Sequence, residues 1–157
     1  MINENENFPN VTFYNITNSG PSSIMADELF TKKIILVGVP GAFTPTCSDD
    51  HVPGYQKLAT QFFKKQIDKI YVVSTNDPFI MKSWGDSLKF SDLSFISDGN
   101  GEFRDKSGLE IDLSSVGLGK RLSRFAMLIE DGIIRKIFNE NGPGLEISKA
   151  ENVLNSI

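Results

Sequence analysis

The sequence predicts an α/β protein with a mixed central sheet flanked by helices, and three observations carry that reading. Two near-continuous apolar runs, "KIILVGV" (33–39) and "KIYVVST" (69–75), have the composition of strands buried on both faces. A stretch of helical periodicity lies between them. A late pair of apolar segments, "RFAMLI" (124–129) and "IIRKIF" (133–138), flanks the turn "EDG" and reads as an antiparallel hairpin. Early strands that alternate with helices, followed by antiparallel strands, predict the thioredoxin type of fold rather than an all-parallel doubly wound sheet.

The elements follow in order. "VTFYNI" (11–16) alternates and, with the turn "TNSGP" (17–21), predicts one arm of a hairpin. "SSIMADELF" (22–30) predicts a short helical turn. The stretch 45–65 places Val52, Tyr55, Leu58 and Phe62 at helical spacing, with a kink at Pro53, which has no N–H for the carbonyl of Asp49. Asp77 followed by Pro78 predicts an N-cap and first position of a further helix over 78–89. "LSFIS" (93–97) predicts a third strand ended by "DGNG", and Ser148 is the expected start of a last helix through Val153 and Leu154. One domain over 1–157 accommodates all of this with a full core.

Bulk composition narrows the function. With 16 Lys and Arg against 20 Asp and Glu, the net charge is −4, and no basic stripe suits nucleic acid. No apolar run reaches membrane-spanning length, so no membrane partner is expected. The acidic N-terminus "MINENENFPN" is neither a secretory signal nor an Arg-rich transit peptide. One Cys and one His make a metal site implausible, and no cofactor is expected. A single cysteine suits a reducing compartment, most simply the cytoplasm; an organelle reached through a removed presequence is also compatible.

That cysteine lies in "PGAFTPTC" (40–47). On this layout, Thr44 is an N-cap, Pro45 is N1 and Cys47 is N3, in the first helical turn after a buried strand. Ligand sites gather at that edge of an open sheet, and unpaired N–H groups there favour an anion, hence a thiolate. An inert buried cysteine is the plain alternative. Asp49 and Asp50 oppose the thiolate unless they point to solvent, so a cation from elsewhere is needed. The residues alone do not choose among Arg104, Arg121 and Arg124. Thr44 either caps the helix or hydrogen-bonds a small oxygen-containing substrate.

"PGAFTPTCS" resembles the peroxidatic motif of the peroxiredoxins, and "VVSTNDPFIMKSWG", "SDGNGEF" and "RFAMLIEDGII" extend the likeness to the peroxiredoxin-5 subfamily across nearly the whole chain. The resemblance implies a thiol-dependent peroxidase that reduces hydrogen peroxide and organic hydroperoxides. Cys47 is then the nucleophile and passes through a sulfenic acid; Thr44 and Arg124 align the peroxide, and Pro40 shields the sulfur. Arg121 is the fallback for Arg124. The resemblance also implies a homodimer, with Phe43 and the helix start at "NDPFIMKSWG" as the expected contact. Many relatives carry a second cysteine where this sequence has Ile147, so an external thiol must reduce Cys47, with glutathione and glutaredoxin favoured over thioredoxin.

Two other readings stand beside this one. A peroxide-sensing binding protein would oxidise Cys47 but turn over little. A Cys/His acyl-transfer enzyme would use His51 as a base; His51 reads instead as packing or support of the helix bend.

Overall fold

The computed structural model describes residues 1–157. Its sheet has seven strands: β1 (Thr12–Thr17), β2 (Gly20–Met25), β3 (Lys33–Gly38), β4 (Lys69–Ser74), β5 (Leu93–Ser97), and two late strands taken up below. Strands β3, β4 and β5 run parallel, as the apolar runs predicted. The N-terminal hairpin β1–β2 joins them through one bridge, Tyr14 to Ser97.

A short hairpin, β6 (Glu110–Leu113) with β7 (Gly119–Leu122), stands apart from this sheet and went unread in the sequence. The two late strands are β8 (Phe125–Glu130) and β9 (Ile133–Asn139). The antiparallel hairpin is therefore present, with β8 completing the sheet against β3 and β9 at its edge. The mixed, helix-flanked sheet of the thioredoxin type is the observed fold.

Strand pleating sorts the apolar residues into two layers. Ile35, Val37 and Val39 of β3 and its end face one cluster, shared with Val72, Ala126 and Leu128. Ile34 and Leu36 face the other, with Val73, Phe125 and Met127. Gly38 pairs with Phe125 across the sheet, and a Cβ there would fall 2.0 Å from the Phe125 ring. Only glycine admits that ring, which anchors the start of β8. Because Phe125 occupies one face, its neighbour Arg124 falls on the parity of Ala126 and Leu128, toward the layer that holds Cys47.

Six helices cover the sheet: α1 (Ala26–Leu29), α2 (Val52–Lys57), α3 (Ala59–Lys64), α4 (Pro78–Leu88), α5 (Glu102–Ser107) and α6 (Ala150–Ser156). The Asp77 cap forms as the sequence indicates, its carboxylate accepting from the Ile80 N–H at 2.9 Å. None of these helices is long and apolar enough to cross a membrane.

Two predictions need correction. The bend expected at Pro53 is a π turn over Cys47–His51, in which the Val52 N–H donates to the Cys47 carbonyl, and a second break follows at Leu58. The extra residue of the wider turn is accommodated just before the proline, which could not have continued a regular ladder. The last helix begins at Ala150, not Ser148: the Ser148 carbonyl is taken by His51 and Tyr55, and the first helical bond runs from the Val153 N–H to the Lys149 carbonyl.

Candidate active site

The loop between β3 and the π turn is pinned from below. Asn76, just past β4, accepts the Ala42 N–H at 2.9 Å and the Ser74 hydroxyl at 2.8 Å on one side-chain oxygen. Phe43 bridges the turn with φ at 62°, a left-handed conformation that is costly for a bulky residue, by about 1–3 kcal/mol. Its ring is 54% exposed.

Thr44 begins the helix by its backbone: its carbonyl accepts from the Ser48 N–H at 2.9 Å. Its hydroxyl makes no cap. It donates to the Gly41 carbonyl at 2.7 Å. A hydroxyl has one proton, so the Thr44 oxygen retains only lone pairs for a substrate.

Cys47 is fully buried, and Asp49 and Asp50 are exposed, so the two carboxylates lie on the solvent side of the turn. The Trp84 indole N–H donates to the Ser48 hydroxyl at 3.0 Å and ties the same turn to α4. The cation that the sequence required comes from the start of β8. Arg124 Nη1 donates to Cys47 Sγ at 3.3 Å, although 77 residues separate them. Arg121 is placed differently: its guanidinium reaches the Pro40 carbonyl at 3.4 Å and the Leu118 carbonyl at 2.7 Å. Arg104 is tied to Asp105, Glu110 and the Lys120 carbonyl.

Arg124 is itself buried and pairs with no carboxylate. Besides the sulfur, Nη1 donates to His51 Nδ1 at 3.2 Å, and Nε has no partner at all. A buried guanidinium without an anion is strongly unfavourable, and a thiolate at Cys47 is the anion within reach.

His51 closes the π turn and shares Arg124 Nη1 with the sulfur. Arginine can only donate, so Nδ1 must be unprotonated and Nε2 must carry the proton, which it gives to the Ser148 carbonyl at 3.2 Å. Tyr55 donates to that same carbonyl at 2.5 Å. Burial, reinforced by the Arg124 charge, lowers the imidazole from 6.5 to about 3. His51 is therefore neutral at physiological pH, and its free lone pair is taken by Arg124. That arrangement leaves no base for acyl transfer.

The depressed imidazole has a consequence for stability. The unfolded chain takes up a proton at His51 below about 6.5 and the folded chain does not until about 3, so acid favours unfolding across that window. Between pH 6.5 and pH 5, wild type should lose about 2 kcal/mol more than a His51→Gln variant, read by urea denaturation at each pH. Equal losses in the two proteins would contradict the buried neutral imidazole.

A cavity of about 180 Å³ is bounded by Arg124, the residue that contacts the buried Cys47 sulfur. Pro40, Thr44, Thr46 and Arg124 line one side, and Ile111, Leu113 and Leu118 of the β6–β7 hairpin wall the other. Pro40 is buried at the rim. Cys47, Arg124, Thr44 and Pro40 are thus brought to one place. The hairpin wall, Asn76 and the Glu140–Ser148 pair were not singled out in the sequence. Asn76 was discoverable as a polar residue at the end of a buried strand; Glu140 carries no such signal. Of the residues expected at a dimer contact, Phe43 and Phe79 (61%) are exposed, whereas Trp84 is core.

A buried thiol held by a buried guanidinium at the edge of a thioredoxin-like sheet defines a thiol-based redox protein, and comparisons with known proteins narrow the class. Residues 3–154 match the model of the Redoxin family. A hybrid peroxiredoxin, hyPrx5, of Haemophilus influenzae is 41% identical over 155 residues; the alignment takes in 96% of this chain but 64% of that relative's length. Reduced Prx3 of Vibrio vulnificus, solved in complex with hydrogen peroxide, superposes with a TM-score of 0.95 at 39% identity, over 99% of both chains. A Plasmodium falciparum antioxidant protein described as a 1-Cys peroxiredoxin superposes at 0.90 with 37% identity, over 97% of this chain and 96% of that one. The chain belongs to the redoxin family, and within it to the peroxiredoxins of the peroxiredoxin-5 type, enzymes that are thiol-dependent peroxidases, here with one cysteine.

Proposed function

We propose that residues 1–157 act as one unit that reduces hydrogen peroxide and organic hydroperoxides through a sulfenic acid at Cys47. The observation that carries this reading is the 3.3 Å contact between Arg124 and Cys47, both buried, with no carboxylate to neutralise the arginine. The thiolate attacks the hydroxyl oxygen of the peroxide. A sulfur–oxygen bond forms, the oxygen–oxygen bond breaks, and the leaving alkoxide or hydroxide takes a proton to become alcohol or water. The sulfur loses two electrons and the peroxide gains them.

Each neighbour has a part in that step. The Thr44 hydroxyl, its proton held by Gly41, accepts from the peroxide O–H and sets the line of attack. The unpartnered Arg124 Nε–H is available to the oxygen on which charge develops. Pro40 and the apolar hairpin wall keep water from the sulfur and give the organic part of a hydroperoxide an apolar seat.

The oxidised sulfur has no partner within the chain, since Cys47 is the only thiol. An external thiol therefore condenses with the sulfenic acid, releasing water, and a second thiol releases Cys47 as thiol. Glutathione with glutaredoxin is the favoured reductant and thioredoxin the alternative, in a reducing compartment such as the cytoplasm. Exposed Phe43, Phe79 and Ile80 supply an apolar face for a homodimer.

Steady-state peroxide consumption with glutathione and glutaredoxin, and separately with thioredoxin, tests the cycle. Sustained turnover is expected, faster with glutaredoxin. Oxidation of one equivalent followed by no turnover with either would favour the peroxide-sensing reading instead.

A further inference from the structure

Glu140, at the end of β9, is a buried carboxylate with no part in the steps above. No lysine or arginine pairs with it. Its oxygens accept from the N–H groups of Glu146 and Ile147 at 3.2 Å, from the Ser148 N–H at 2.6 Å, and from the Ser148 hydroxyl at 2.7 Å. Three successive N–H groups form a concave anion seat. Burial works against its charge, and the Ser148 hydroxyl and the N–H donors outweigh that, so the carboxyl lies below the usual range.

The same residue touches the site from two directions. Its own N–H donates to the Arg124 carbonyl at 2.9 Å. Its carboxylate fixes Ser148, whose carbonyl has both lone pairs in use, one for His51 Nε2 and one for the Tyr55 hydroxyl. That carbonyl accepts the Nε2 proton and fixes the ring plane, so it agrees with the tautomer that Arg124 requires. With the proton on Nε2, Nδ1 presents a lone pair to Arg124; with the proton on Nδ1, two donors would face each other.

We propose that Glu140 is a positioning residue for thiol oxidation: by clamping Ser148 it holds His51 in the tautomer and orientation that keep the Arg124 guanidinium on Cys47. The proposal rests on the thiol-peroxidase reading. Its sign distinguishes it from a plain charge effect. The negative charge of Glu140 disfavours a nearby thiolate, so removing that charge alone would make Cys47 more reactive. Loss of positioning makes it less reactive.

The test uses full-length Glu140→Gln, alone and with His51→Leu, beside wild type. Oxidation of the reduced thiol by hydrogen peroxide is timed by quenched-flow alkylation, and the pH midpoint of iodoacetamide alkylation is measured in each. Glu140→Gln should slow oxidation about tenfold, as expected when a reacting group loses its fixed geometry, and should move the alkylation midpoint to higher pH. In the His51→Leu background the same change should alter the rate by less than about twofold, because the path through His51 is already cut.

An unchanged or faster rate in Glu140→Gln overturns the proposal, as does an equal effect in the two backgrounds. Where Glu140→Gln does not fold, Ser148→Ala removes one hydrogen bond of the clamp. It should slow oxidation about threefold, and an unaltered rate contradicts the clamp. A wild-type thiol inert to peroxide would remove the peroxidase reading and this proposal together. A reactive wild type matched by Glu140→Gln would remove the proposal alone.

Discussion

Arg124→Met slows the reaction of Cys47 with hydrogen peroxide by about 10²–10³-fold, the scale seen when one preorganised charge-stabilising donor is removed. Methionine fills a similar volume and keeps β8 packed, so the loss is electrostatic. In the proposed mechanism Arg124 supplies the charge opposite the thiolate, and its unpartnered Nε–H donates to the oxygen that leaves. The Thr44 oxygen still has lone pairs for the peroxide O–H, so the effect falls on the chemical step. His51 does not substitute for the lost cation. Its depression to about 3 is caused first by burial and only second by Arg124, so the imidazole stays largely neutral in the variant. Quenched-flow oxidation of reduced protein checks the prediction, and a rate within about threefold of wild type would show that Arg124 is not the residue that activates the thiol.

Cys47→Ser abolishes peroxide reduction. Serine preserves the volume and can still accept from Arg124, but its hydroxyl is un-ionised at neutral pH and a poor nucleophile toward peroxide oxygen. No second thiol exists to take over. The variant also loses the anion opposite a buried guanidinium, so a drop in folding free energy accompanies the lost activity. Peroxide consumption at the rate of buffer alone, together with a lowered urea midpoint, is the expected pair of results.

Strand positions were legible because burial on both faces leaves an unbroken apolar run, as in 33–39, and a cap such as Asp77–Pro78 acts within a few residues. The β6–β7 hairpin was not legible: "EIDL" alternates for only four residues, "GKRL" does not alternate, and neither holds an apolar run. The π turn was sensed only as a disturbance near Pro53, since nothing local distinguishes a kink from an inserted residue.

The site divides in the same way. Cys47 and Thr44 lie in one contiguous motif, and the chemistry of a first helical turn gives them meaning without the rest of the fold. Arg124 is 77 positions away, and only the resemblance to a family selected it over Arg121. His51 was read as support for the bend, which understates its role: it also accepts a hydrogen bond from the arginine that faces the thiol. Glu140 acts through three backbone donors, one serine hydroxyl and a carbonyl, and a single serine eight positions on is no pattern that announces it.

The central claim is that Cys47 is a thiolate poised for peroxide. Its most direct test is the intact mass of reduced wild type and of Cys47→Ser, quenched within seconds of mixing with a slight excess of hydrogen peroxide, with glutathione added to half of each sample. Wild type should gain a single oxygen that glutathione removes or replaces with a mixed disulfide, and Cys47→Ser should gain nothing. An unmodified wild-type mass on that timescale, or the same oxygen gained by the serine variant, would contradict the account.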